Sequence, residues 1–373
     1  MNERKKKRLS VPLLLFCILI AITLLLCTTV LGLWFHGRSS MTTTIQTPTL
    51  PPTPQVAAPE PEAEIEPNEA AEPEAEEAAN EVLDTHILQY DGKYYMYNED
   101  MCNVLLLGID SKTKPAEPLP YGSDIQADVI VLAAIDLANN DVTLISLNRD
   151  TMCSIEILDQ DGNSLGFSNS QLALAYAYGD GLQRSCELTR DAVSNIFYGL
   201  QIHGYGAFYL GGVAALNDAM GGITVKILDD YPFTEKGQAY QNMIPGQEVT
   251  LTGQQAQAYI QDRLLTENGN ALRMQRQKQY MLAMVSRGIA GLKEGPSTIL
   301  SLYNTMDDYI LTDMTLSRIM FLGIRAASMS FSGDIINLQG QSTLGANNHM
   351  ELAVDQTALY ELMLDVFYEE VTP

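Results

Sequence analysis

Residues 103–112 read NVLLLGIDSK and residues 126–136 read QADVIVLAAID, and the relation between these two runs decides the fold. Val104 to Leu107 is an apolar run of strand length that ends in a Gly108-Ile109 turn, with Asp110 and Lys112 directly behind it. The second run, 129–135, starts immediately after another carboxylate, Asp128. An Asn/Asp-rich turn over 136–141 then leads into a third run, VTLISL at 142–147, so the second and third strands pair antiparallel. The third strand ends in ISLNRDT, which sets Arg149 and Asp150 at the same open end of that hairpin as Asp128. Asp110 reaches that end if its strand runs parallel to 142–147.

Outward from this hairpin, strands and helices interleave. ILQYDGKYYMYNED at 87–100 alternates Tyr with polar residues around Asp91-Gly92, a strong hairpin signal. SQLALAYAYG and LQRSCELTRDAVSNIFYGL carry helical spacing, and GYGAFYLGGVAALNDAMGGITVKI reads as strand, helix, Gly-Gly stop and strand. LTGQQAQAYIQDR opens a helix with Thr252 as N-cap, and a long helix starts near Asn270. STILSLYNTM, TLSRIMFLGIRAAS and DQTALYELMLDVFYE add helices, with a strand DIINL before the last. The expectation is an α/β fold, a three-layer α/β/α sandwich with a mixed central sheet.

The chain before residue 87 has another character. Arg4, Lys5, Lys6, Lys7 and Arg8 precede an uncharged apolar run from Val11 to Phe35, longer than the roughly 20 residues a bilayer crossing needs. The expected organisation is therefore a cytoplasmic basic N-terminus (1–10), a transmembrane helix (11–35), a Pro/Glu-rich disordered stalk (36–86) and an extracytoplasmic domain (87–373). The basic flank places the N-terminus inside the cell and the domain outside, at the cell membrane. The formal net charge of −24 makes nucleic acid an improbable partner.

Few rival chemistries have residues to support them. Cys102, Cys153 and Cys186 lie outside the apolar run without CxxC spacing, so they form no zinc site; one disulfide or three buried thiols are both open. His36, His86, His203 and His349 make no ligand set and read as surface residues. No G-x-S-x-G elbow occurs, and GYGAFYLGG lacks a P-loop lysine, which leaves tight backbone packing as its reading.

The acids and cations suggest a pyrophosphate site. Two carboxylates suit a hard cation such as Mg²⁺, with Mn²⁺ the alternative, and planar guanidinium forks suit phosphate oxygens. Arg263 lies four residues after Tyr259, and Gln277 four after Arg273, so each pair shares a helix face. The LLTENGN loop joins these helices, which lets Arg263 and Arg273 point into one cleft. Arg276, between them, reads as a solvated charge.

At these residues the sequence resembles the LytR-CpsA-Psr family. The elements LLLGIDSK, ADVIVLAAID, ISLNRDT, LALAYAYGDG, VAALNDAMGGITV, IPGQEVTLTGQQAQAYIQDR and ALRMQRQ follow in order behind one N-terminal anchor. The resemblance implies a phosphotransferase that moves a glycopolymer (teichoic acid, capsule or similar) from a polyprenyl-pyrophosphate lipid to peptidoglycan. It puts the metal on Asp110 and Asp128, the pyrophosphate on Arg149, Arg263, Arg273 and Gln277 with Lys112 beside them, and makes Asp150 a candidate orienter of Arg149. Asn148, Gln171, Gln261 and Lys112 depart from the family's Pro, Lys, Arg and Arg. A non-catalytic lipid-pyrophosphate-binding or regulatory envelope module is the alternative.

Overall fold

The computed structural model describes residues 29, 31–42, 46–51, 87–230, 232–235, 238–240, 242–262, 269–292, 304–326, 328–346 and 348–372. Residues 31–42 form a helix, α1. The strands and helices that follow are β1 (Ile87–Tyr90), β2 (Lys93–Tyr97), β3 (Met101–Ile109), β4 (Ala127–Asp136), β5 (Asp141–Leu147), β6 (Met152–Leu158) and β7 (Ser164–Gln171), then α2 (Leu172–Ala177) and α3 (Gln183–Ile196). Next come β8 (Gly204–Tyr209), α4 (Val213–Ala219), β9 (Ile223–Lys226), the short β10 (Thr234–Glu235) and β11 (Gln238–Ala239), β12 (Glu248–Leu251), α5 (Gly253–Gln261) and α6 (Gly269–Leu292). The chain closes with β13 (Ile310–Thr312), α7 (Leu316–Ala326), β14 (Ser330–Asn337), β15 (Gly340–Leu344), β16 (Met350–Val354), α8 (Gln356–Phe367) and β17 (Tyr368–Val371).

Six strands form the central sheet in the order β13-β8-β3-β4-β5-β14. Pairing is antiparallel at β3–β4, β4–β5 and β13–β8 and parallel at β3–β8 and β5–β14, so the sheet is mixed. Because side chains alternate along a strand, each strand supplies both faces. Leu105, Leu107, Ile109, Ile130 and Leu132 pack on one side with Tyr176, Val193, Phe197, Tyr360 and Phe367 from α2, α3 and α8. Val104, Val131, Ala133 and Leu144 pack on the other with Phe321 of α7 and, from α6, Met281 and Val285. A smaller core joins α4, α5 and α6 to β9 and β12.

Local signals account for much of this. Asp91 (φ 48°) and Gly92 (φ 75°) both have positive φ, which closes the β1–β2 hairpin as a primed turn. Thr252 caps α5 through a capping box with Gln255. β6 and β7, by contrast, form an antiparallel hairpin for which no element was expected, and β7 takes Ser170 and Gln171, so the helix expected from Ser170 begins at Leu172. The polar SLGFSNSQ strand has no apolar run to announce it. Cys102, Cys153 and Cys186 are free and buried, which settles them as three thiols.

The N-terminal expectations need correcting at one boundary. Residues 11–28 and residue 30 lie outside the described residues, and among those described no helix is long and apolar enough to cross a membrane. The expected stalk, 36–86, is not a free spacer over its described part. Met41 is only 2% exposed, the Gln46 amide donates to Gln201 Oε1 (2.7 Å), and the Thr49 amide donates to the Tyr198 carbonyl (2.9 Å). Residues 43–45 and 52–86 lie outside the description.

Candidate functional site

Antiparallel β3–β4 and β4–β5 pairing makes β3 and β5 run in the same direction, so the carboxyl ends of both strands and the amino end of β4 share one pole of the sheet. Asp110, Asp128, Arg149 and Asp150 all occupy that pole. The register explains how Asp128 is aimed. Gly108 pairs with Val129 and Ile109 with Ala127, so Asp128 is the extra residue of a β-bulge. Bulges bend a strand and turn a side chain out of the ladder. Gly108 permits the close approach: a Cβ there would stand 2.8 Å from Val129 Cβ.

Arg149 is the hub. Its Nη1 donates to Asp128 Oδ1, its Nη2 donates to Gln126 Oε1 (2.7 Å), and its Nε lies 3.7 Å from Asp150 Oδ1. The side chains of Arg149 and Asp128 are 40% and 19% exposed, so the pair faces solvent along one edge. Burial pushes the Asp128 carboxyl above its ordinary pKa; Arg149 and Arg273 oppose that shift, while Asp110 and Asp150 add to it. Asp110 and Arg273 are therefore close enough to Asp128 to act on its charge.

Neighbouring polar residues shape the turn. Asn148, where the family pattern has Pro, accepts the Asp150 amide on Oδ1 (2.9 Å), an Asx turn that fixes the Arg149-Asp150 corner by hydrogen bonding instead of by a ring. Gln171, where the family pattern has Lys, donates from Nε2 to Asp150 Oδ1 (3.1 Å) and to the Met350 carbonyl (2.6 Å). It ties the β6–β7 hairpin to the same corner. The loop after Asp110 is strapped from behind: the Gly211 amide donates to the Ser111 carbonyl (3.1 Å), and a Cβ at Gly211 would stand 1.9 Å from the Lys112 carbonyl oxygen. The glycine-rich segment thus serves backbone packing, and the Lys112 side chain is exposed.

The remaining expected residues separate. Arg263 lies outside the described residues. Gln277 donates from Nε2 to the Ile260 carbonyl (3.0 Å), closing the end of α5, and Gln261 is exposed. Arg276 overturns its reading as a solvated charge, being 1% exposed. Its guanidinium lies over Phe233 (4.8 Å to the ring centroid) and Tyr259 (5.7 Å), 3.5 Å from Asp229 Oδ1, and donates to the Asp262 carbonyl. His203 is likewise no surface residue: it is half-buried, and its Nδ1 accepts the Asn103 amide (3.0 Å). Gln126 was missed altogether. Its position two residues before Asp128 on an extended segment was the available signal.

Asp110 and Asp128 fit a hard divalent cation. They are oxygen-only donors, and the charge of Asp110 disfavours ionisation of Asp128, a repulsion that a cation would relieve. Arg149 occupies Asp128 Oδ1, which leaves Oδ2 and Asp110 as donors. Among the described residues no cluster of three or more His, Cys, Asp or Glu side chains is arranged for a metal. Such a site would take most of its ligands from substrate and water.

Comparison with known proteins bears on the family and the fold. The LytR_cpsA_psr family profile matches residues 64–364. A polyisoprenyl-teichoic acid–peptidoglycan teichoic acid transferase TagU of Enterococcus faecalis is 27% identical over 218 residues, 58% of this chain and 63% of that relative. The chain thus spans under two thirds of the curated relatives it matches. Two solved structures share the fold: B. subtilis TagV (TM-score 0.53, 21% identity, covering 72% of this chain and 96% of that one) and TagT bound to LIIa-WTA (TM-score 0.53, 21% identity, 72% and 90%).

Proposed function

The chain belongs to the LytR_cpsA_psr family, and on that premise we propose that it is an extracytoplasmic phosphotransferase, held in the cell membrane by its N-terminal apolar run. Its donor is a polyprenyl-pyrophosphate-linked glycopolymer, teichoic acid being the polymer named for its relatives, and its acceptor is peptidoglycan. The observation that carries this reading is the Arg149 guanidinium, fixed between Asp128, Gln126 and Asp150 yet open along one edge. A planar cation held in this way can bind phosphate oxygens without reorganising.

The residues divide by role. Arg149 and Arg273 hold the pyrophosphate, joined by Arg263 and Lys112. Gln277, whose amide nitrogen fastens the end of α5 through the Ile260 carbonyl, would act by positioning that helix end. Asp110 and Asp128 would hold Mg²⁺ or Mn²⁺, which when bound supplies charge neutralisation at the pyrophosphate oxygens. A peptidoglycan hydroxyl oxygen attacks the polymer-side phosphorus and passes its proton to solvent or to the departing phosphate. The bond from that phosphorus to the bridging oxygen breaks, and polyprenyl phosphate leaves with the electron pair. Arg149 and Arg273 at the bridging oxygen would stabilise the charge that develops there.

The test is transfer by the full-length chain of a lipid-linked oligosaccharide onto peptidoglycan fragments, read by mass spectrometry. A phosphodiester-linked product that disappears in Arg149→Ala supports the proposal. Tight lipid binding without product would favour the non-catalytic module, and neither binding nor product would overturn both.

A further inference from the structure

α1 has two faces of different chemistry. Trp34, Gly37 and Met41, spaced by three and four residues, form the face turned to the domain. Gly37 meets α7 backbone to backbone, since a Cβ there would lie 2.1 Å from the Ser317 carbonyl oxygen and 2.8 Å from Phe321 Cβ. The Trp34 ring sits 5.8 Å from that of Phe321, and Met41 is buried with its sulfur 4.0 Å from Cys102 Sγ. Arg318 of α7 donates from Nε to Ser40 Oγ (3.1 Å) and from Nη2 to the Ser40 carbonyl (3.0 Å). Apolar, steric and charged contacts thus all fix α1 to α7.

The other face is apolar and uncovered, but only in its first half. Leu31 is 54% exposed and Phe35 61%, with Leu33 beside them, whereas the exposed residues after Phe35 are His36, Arg38, Ser39 and Thr42. Uncovered leucine and phenylalanine side chains are costly in water, at roughly 25 cal/mol per Å². These residues end the uncharged run that starts at Val11, and an aromatic pair followed by a cation is the usual composition of a membrane interface.

We infer that α7 seats the domain directly on a phospholipid bilayer through α1, with the hydrocarbon boundary at Phe35–His36. The inference rests on the membrane-anchored reading of the N-terminal run and adds a rigid joint to it. One consequence concerns the acidic stretch. Gln46 and Thr49 are already fastened to Gln201 and Tyr198 before residue 52 is reached, and β1 begins at Ile87. The Pro/Glu-rich segment therefore follows this attachment in the chain, and it does not set the distance between domain and membrane.

Trp34 is the single tryptophan of the chain, so its fluorescence reports this joint alone. The test uses the full-length chain in vesicles of phosphatidylethanolamine and phosphatidylglycerol. Lipids brominated near the headgroup should quench Trp34 more than lipids brominated at the chain end, and aqueous acrylamide should quench it weakly. Gly37→Leu, which cannot approach Ser317, and Phe321→Ala, which removes the facing ring, should each shift the emission to longer wavelength and increase acrylamide quenching. A chain that floats with vesicles but shows no change in either variant overturns the joint while the anchor stands. A chain that does not float overturns the anchor and the joint with it.

Discussion

Arg149 and Asp128 are bound to each other across the open end of the β4–β5 hairpin, and Asp128 is available for this only because it is the unpaired residue of a bulge. The pair is one electrostatic unit. Arg149→Ala is expected to lower turnover by roughly 10²–10³, the size of losing one preorganised donor to developing charge. Its effect on stability should be small, since the arginine is 40% exposed and solvent screens what it loses. Parallel measurement of turnover and of the urea midpoint separates the two; an equal loss in both would make Arg149 a structural residue.

Asp110→Ala and Asp128→Ala should differ in a way that spacing alone did not show. Two close carboxylates repel, so removing either would relieve repulsion in metal-free buffer if both were unpaired. Asp128, however, is ion-paired with Arg149. Thermal melts without divalent cation should therefore show Asp110→Ala unchanged or stabilised and Asp128→Ala less stable than Asp110→Ala by a small margin, since the pair it loses is partly exposed. The opposite order would mean that the Arg149 pair contributes less than the repulsion does.

The bulge can be tested through its glycine. A methyl at Gly108 would stand 2.8 Å from Val129 Cβ and 3.2 Å from its Cγ2, so the strands must part or the bulge must slip. Gly108→Ala should cost about 1–3 kcal/mol, the usual size of overpacking, and reduce turnover by misplacing Asp128. Trimming the opposing side chain should restore part of both. Additive losses in the Gly108→Ala/Val129→Ala pair, in a double-mutant cycle of denaturation midpoints, would rule out this contact as the cause.

The sheet centre and the converging charges were legible because they depend on one residue's neighbours in sequence. Apolar runs mark β3, β4 and β5, and the turn between β4 and β5 dictates which end Asp128 and Arg149 share. What stayed hidden depends on partners distant in sequence. The bulge at Asp128 is a property of register against Gly108, and Gln126 gains a role only from the arginine that reaches it. Arg276 reads as solvated on a helix until Phe233 and Tyr259 enclose it. Gly37 is invisible as a docking residue because its contribution is the side chain it lacks.

Arg276 offers a stability test independent of transfer. Its guanidinium is buried beside Asp229 and against the Phe233 and Tyr259 rings, and breaking a buried ion pair by removing one partner typically costs about 3–5 kcal/mol. Arg276→Ala should show a loss of that order in urea denaturation. Arg276→Met in combination with Asp229→Asn should recover much of it, because neither charge is then stranded. A loss below 1 kcal/mol for Arg276→Ala would return this residue to a solvated role.

His203 should govern the acid limb of stability. Its Nδ1 accepts the Asn103 amide, so that nitrogen must be unprotonated in the fold, and burial, aided by the charge of Arg318, lowers its pKa to about 4. Unfolded, the imidazole titrates near its ordinary value of about 6.5. Between these two values the unfolded chain binds the proton and the folded one does not, so protonation favours unfolding and stability rises with pH. Above about 6.5 the contribution is fully present; it is lost progressively as the pH falls towards 4, by no more than roughly 3 kcal/mol. Arg318 also ties the His203 carbonyl (3.4 Å) and Ser40, so loosening this corner should loosen α1 as well. Urea midpoints measured from pH 7 to pH 4 should fall steeply for the native chain and less steeply for His203→Gln, whose side chain cannot gain the charge. Parallel curves for the two proteins would show that other groups carry the acid sensitivity.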